Sequence, residues 1–226
     1  MITQIILGLV LLANTYLPVS LANSVSAVVI EQKTLASHEL DLTNRLPNSF
    51  GSEVFADNIL FALHCLKSDV SSLKTNETIN GPSDIDWDKT RSYFEVSFTL
   101  KPGEVFAYHA NVLPAFNAVV KTMNSKFFID EGYKSLAGLG GNGVCHLASL
   151  INWVASDAGL EVTSKVNHDF YPVPGVPREY GSSIFYAQSG GNSQNQNLYI
   201  KNNLQTPVTF DFKADNKLVT LKILGS

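Results

Sequence analysis

The stretch from Gly138 to Gly159, GLGGNGVCHLASLINWVASDAG, decides how this chain folds and where its chemistry gathers. Gly138, Gly140, Gly141 and Gly143 make a turn that runs straight into Cys145. Leu147, Leu150, Ile151, Val154, Ala155 and Ala158 then recur at three- and four-residue steps, which describes one buried face of a helix. Gly159 stands where a left-handed residue commonly ends such a helix. Cys145 therefore belongs to the first turn, where unpaired backbone N–H groups and the positive end of the helix dipole favour a thiolate. The same position suits an anion-binding role or a purely structural one.

Working outward, residues 57–67 read as a helix, with Cys65 on its apolar side beside Ile59, Leu63 and Leu66. A free cysteine there acts as a small hydrophobe; a disulfide to Cys145 is the alternative if the protein is exported. Residues 42–52, rich in Asn, Pro, Ser and Gly, read as loop. Residues 28–30 read as a short strand followed by a polar turn. Phe94, Val96 and Phe98 alternate along an expected strand at 93–100, and residues 105–108 continue as extended chain. Residues 110–120 carry a helix-like pattern around Pro114, and 126–129 suggest a brief strand. Beyond the central helix, residues 160–166 read as a strand leading to His168. Pro172, Pro174 and Pro177 stiffen the next connection, and 183–186 read as a short strand. The segments 198–200, 208–212 and 218–223 read as antiparallel strands. Helices early and strands late give an α+β fold, with N-terminal helices and the Cys-bearing helix packed on a mostly antiparallel sheet.

Hydrophobic residues make up 45% of the 226 and charged ones 16%, a composition able to bury a core and unlike that of a disordered chain. The net charge of −4, with no basic cluster, argues against nucleic acid and against an anionic membrane surface. At the start, an apolar run at 5–13 and the small residues Ser20-Leu21-Ala22 resemble an export signal. No Lys or Arg precedes that run, so an uncleaved anchor is the competing reading. The division expected is a signal at 1–22, an N-terminal extension at 23–56 and one domain at 57–226. The protein is expected to be exported to the cell envelope or outside, touching a membrane only through the N-terminal segment if that is uncleaved.

The residues Lys101-Pro102-Gly103-Glu104-Val105-Phe106, then Glu131-Gly132-Tyr133, then the glycine run through Val144-Cys145, resemble the VanW family. That family is named for an accessory protein of some vancomycin-resistance clusters. Ala158-Gly159-Leu160-Glu161-Val162, His168, the proline segment and Lys201-Asn202-Asn203 with Pro207 continue the likeness in order. Two departures stand out: Asn142 and His146 replace a glycine and a glutamine of the usual pattern, and an acid usual after the prolines is lost near Tyr180-Gly181. The resemblance implies a cell-envelope protein and does not imply a reaction; peptidoglycan or a peptidoglycan precursor is the partner expected of such a protein.

Three readings of Cys145 follow. In the first, it is a nucleophile with His168 as base, Asp169 or Asn167 orienting the imidazole, and the N–H groups of Val144 and Cys145 holding an oxyanion. In the second, Cys145 is a small residue at a tight turn and the cleft only binds a wall component. In the third, Cys145, His146 and His168 hold a metal; no HExxH or CxxC spacing supports it, so neither metal nor cofactor is expected. Gly141, Asn142, Gly143 and Val144 are candidates for ligand contact by backbone. His146 lies about 100° around the helix from Cys145, which suits a surface or groove position better than a partner of the thiol. His109 follows the KPGE stretch and is a candidate cleft residue, as are Arg178 and Tyr180, which could meet an anionic or sugar ligand.

Overall fold

The computed structural model describes residues 32–226 apart from 117 and 188–191. The expected signal at 1–22 and the expected strand at 28–30 lie outside the described residues.

The helix α1 (Ser49–Lys67) is buried on almost every side between Val54 and Leu66, the mark of a central helix rather than a surface one. It starts before the expected residue 57 because Asn48 caps it, its side-chain oxygen accepting the Gly51 N–H at 2.6 Å. Part of the segment read as loop is thus helix. Ser68 ends it in the left-handed region at φ 62°, its N–H returning to the Cys65 carbonyl. A single turn, α2 (Trp87–Thr90), follows. The third helix, α3 (Val144–Asp157), keeps the expected apolar face: Leu147, Leu150, Ile151, Val154 and Ala155 are fully buried. Gly159 sits beyond its end at φ 76°, as the sequence suggests.

One antiparallel sheet runs in the order β1 (Lys33–Asp41), β10 (Leu218–Gly225), β9 (Val208–Ala214) and β2 (Phe94–Leu100). Burial alternates along β9 and β10, so Phe210, Phe212, Val219, Leu221 and Ile223 form the inner face. A second sheet runs β4 (Val119–Lys121), β3 (Val105–Ala107), β8 (Leu198–Lys201) and β7 (Glu161–Ser164); its β3–β4 pair is parallel. A two-stranded piece, β5 (Ser135–Leu136) with β6 (Leu139–Gly140), leads into the glycine turn. The fold is α+β with mostly antiparallel pairing. Each fully buried phenylalanine, such as Phe61, Phe106, Phe210 and Phe212, contributes roughly 2–3 kcal/mol.

Four local expectations give way to tertiary context. The polar segment after residue 30 is β1, paired along its length with β10 from Lys33–Gly225 to Asp41–Leu218. An edge strand tolerates polar residues on its wet face, and only Leu40 is buried outright. Residues 110–120 are not helical. Leu113 donates its N–H to the Tyr199 hydroxyl at 3.0 Å, Phe116 stacks on Tyr199, and the chain then enters β4. Residues 126–129 form no strand, because the Glu131 carboxylate takes the Lys126 and Phe128 N–H groups. Residues 183–186 are extended without a regular ladder: Ser183 bonds to Val166 and Phe185 to Gln196.

Residues 31–226 make one compact unit. Within the segment 23–56 set apart by the sequence reading, β1 and the first turns of α1 therefore belong to the same body as 57–226. No helix of the described residues is long and apolar enough to cross a membrane.

Candidate functional site

The glycine turn is built for close packing. Gly141 and Gly143 lie in the left-handed region at φ 68° and 102°. A Cβ on Gly143 would stand 2.6 Å from the Phe55 carbonyl oxygen, and one on Gly141 2.7 Å from the Phe127 Cβ. Both glycines therefore let the turn nest against α1 and the 127 segment. Asn142 is likewise occupied: its side chain accepts the Leu136 N–H at 2.8 Å and its carbonyl accepts from the Asn58 amide at 2.9 Å. The fully buried Asn58 also takes the Lys134 N–H and bonds the Lys134 carbonyl, so one α1 side chain fixes both ends of the turn. Asp57 beside it receives both arms of Arg91, at 2.7 and 2.8 Å, and the Lys134 ammonium. Sequence reading missed both; the available signal was a polar pair interrupting an apolar helical run.

No side chain caps α3 at Gly143. The Val144 N–H bonds to the Gly141 carbonyl at 3.1 Å, which removes it as a free oxyanion donor. Cys145 faces the cleft but is clamped to one residue: its sulfur accepts the Ile184 N–H at 3.3 Å and its S–H points to the Ile184 carbonyl at 3.6 Å. The residue as a whole is partly exposed, yet the sulfur is packed closely enough that burial pushes the thiol up to about 11, against the lowering effect of the Ile184 bond. Among the described residues no imidazole is hydrogen-bonded to it. Ser149 and Asn152, one and two turns further along α3, bind Ser182 and the Tyr180 carbonyl and so lay the 180–184 segment beside the helix. Both cysteines are free; Cys65 is core, with Tyr133 donating to its sulfur and burial raising its thiol to about 12.

His168 is buried next to His146 rather than bonded to Cys145, the two rings meeting edge to face at 5.9 Å between centroids. Its Nδ1 lies 2.8 Å from the Tyr171 carbonyl. A carbonyl only accepts, so Nδ1–H is the donor of that bond. The orienting group is thus a backbone carbonyl. Asp169 does not serve: it is exposed, its carboxylate lies 3.8 Å from Arg178, and its carbonyl accepts from that guanidinium. Asn167 turns to the Arg178 carbonyl instead. His146 is not a surface residue: it is buried against Phe55, and desolvation first, then the nearby Arg45 and His168, hold its imidazole down at about 3. His109 is core, donating to the Gln196 carbonyl at 3.0 Å and meeting the cleft only through the edge of Tyr186. Arg178 and Tyr180 stand outside the cleft, Tyr180 stacked on Trp153.

What Cys145, His146 and His168 do share is a cleft of about 730 Å³. Its walls are Leu46, Phe55, Phe127, Phe128, Ile129, Ile184 and the rings of Phe170, Tyr171, Phe185 and Tyr186; among the described residues Lys126 and Asp130 are its only formally charged lining residues. Phe170 is 83% exposed and Phe185 53%, so two large rings stand bare at the same cleft. Sequence reading passed over these aromatics, although they stand in loops, where binding residues concentrate. Among the described residues no group of three or more His, Cys, Asp or Glu is placed to hold a metal ion.

These features define a class: an α+β domain with a ligand-sized, aromatic-walled cleft at the uncapped head of a buried helix. The chain belongs to the VanW family, whose family model, described as VanW like protein, matches residues 96–224. That match spans more than half of the chain, including the glycine turn, α3, His168, β9 and all but the last residue of β10. No curated protein and no solved structure matches it.

Proposed function

We propose that this is an exported envelope protein that binds peptidoglycan or a peptidoglycan precursor in the cleft at the head of α3, without cutting it. The observation that carries the reading is the cleft itself, sized for a disaccharide or short peptide and walled by aromatic rings that suit sugar faces and apolar side chains. The state of the thiol supports binding over catalysis. A nucleophilic cysteine needs a lowered pKa or a base in contact, whereas Cys145 is raised and its bonds go to Ile184. Export is supported by the apolar run at 5–13 and the small residues after it.

The test is calorimetric titration of soluble peptidoglycan fragments into wild type and Cys145→Ala, with mass spectrometry of the mixtures. Saturable binding by both forms and unchanged fragment masses are expected. New masses that disappear in Cys145→Ala would replace this reading with a thiol hydrolase or transferase. Absence of binding by every fragment would remove the wall component as the ligand.

A further inference from the structure

We infer that the cleft continues past the turn Ile129–Glu131 into a second hollow, and that the two together seat one extended, neutral glycan chain rather than a single fragment. The inference rests on the binding reading above and names the part of the wall, its sugar strand, that the groove takes up.

The second hollow measures about 720 Å³, close to the first in size, and lies at the end of α1. The two cavities abut along three stretches of chain. Thr78 and Ile79 line the hollow and Asn80 the cleft; Ser125 lines the hollow and Lys126 the cleft; Asp130 lines both. Asp130 therefore stands on a crest that the two spaces share.

Both banks at this crest are set before a ligand arrives. On one, the Glu131 carboxylate takes the Ser125 hydroxyl at 3.0 Å and the Lys126 and Phe128 N–H groups at 2.8 and 3.3 Å. On the other, the Asp84 carboxylate takes the Asn76 amide and the Asn80 N–H, the latter at 2.8 Å. At the floor, the Asn124 amide ties its loop to the Cys65 carbonyl and the Ser68 hydroxyl at the end of α1. A groove fixed in this way loses little conformational freedom when a chain enters it.

The lining changes character across the crest. The cleft presents aromatic rings, whereas Ser71, Thr78, Asn124 and Ser125 give the hollow hydroxyl and amide groups. Rings suit the apolar faces of sugars, and hydroxyls and amides can bond the polar edges of the same rings. Lys74 and Lys126 are matched by Asp130 and Glu131, so neither sign of charge gathers along the groove, which argues against a polyanion. Among the described residues no strand lines the hollow, so an extended peptide finds no edge to pair with there.

The experiment titrates two series into the full chain by calorimetry, N-acetylglucosamine oligomers and peptide-free peptidoglycan strands, each from disaccharide to hexasaccharide. Affinity is expected to rise with length by about tenfold or more and then to level once both cavities are filled. Ser71→Trp and Thr78→Trp, both at exposed positions, fill the hollow and are expected to abolish that rise. The readout is the ratio of hexasaccharide to disaccharide affinity within each protein, which a general loss of fold does not mimic. A ratio near one in wild type, or a ratio kept at its wild-type value in both variants, overturns the inference. Wall disaccharides bound with no gain in length, or stem peptides bound with no glycan, overturn it and leave the wall reading standing. A gain with length for N-acetylglucosamine oligomers, with no wall fragment bound, keeps the groove and overturns the wall reading.

Discussion

Cys145 and His146 are neighbours whose environments push them in opposite senses. With its thiol near 11, Cys145 holds about one part in ten thousand as thiolate at pH 7. In a Cys65→Ser background, its alkylation by iodoacetamide is expected to climb about tenfold per pH unit from pH 7 to 10 without levelling. A rate that levels near neutrality would instead mark an activated nucleophile. For His146 the folded value is about 3 and the unfolded one about 6.5. Below pH 6.5 the unfolded chain therefore takes a proton that the folded chain refuses. This contribution to stability is whole above pH 6.5 and is lost as pH falls toward 3, on the order of several kcal/mol in all. Buried His64 and His109 are lowered too and steepen the same limb. Urea melts between pH 7 and 4 should show that slope, and His146→Gln should flatten it.

Among the elements, the turn before α3 is the one whose geometry is most constrained. Gly143→Ala combines a left-handed φ with a Cβ inside the Phe55 backbone, and is expected to cost roughly 3 kcal/mol or more. Gly138→Ala shares the positive φ but meets nothing within 4 Å, so only about 1–2 kcal/mol is expected. Equal losses in chemical denaturation would show that conformation alone, and not the approach to α1, requires glycine there. The α1 side of that junction depends on Asp57, buried and paired with Arg91, whose pKa it raises. Asp57→Asn leaves the guanidinium short of its counter-ion and should destabilise the fold by roughly 3 kcal/mol.

Over the whole molecule, β1 closes one edge of the main sheet and packs against α3, while α1 is buried between α3 and β2. A chain beginning at Asp57 loses β1 and the Asn48 cap, and is expected not to unfold cooperatively; one beginning at Gln32 is expected to do so. A cooperative melt from the shorter chain would show that the 57–226 division is a true domain. Much of this architecture was legible beforehand. The helix after Cys145, β2, β9 and β10 follow from periodicity, because their packing faces repeat at 3.6 or 2 residues, whereas β3 and β8 are short apolar runs buried on both faces. Less legible were β1, where an edge strand needs little apolar alternation, and residues 110–120, where Tyr199 and β3 override a helical pattern.

The candidate site divides along the same line. Sequence alone determined that a glycine turn delivers Cys145 to the start of a buried helix, with a histidine following the next strand and a family pattern running through both. Only the tertiary structure decided what those groups touch. It set Cys145 against Ile184, turned His168 to a backbone carbonyl and to His146, moved Asp169 out to Arg178, and gathered loop aromatics around them. Periodicity reports which face of an element is buried, whereas a pKa or a hydrogen bond depends on atoms brought from elsewhere in the chain, and those distances exist only after folding.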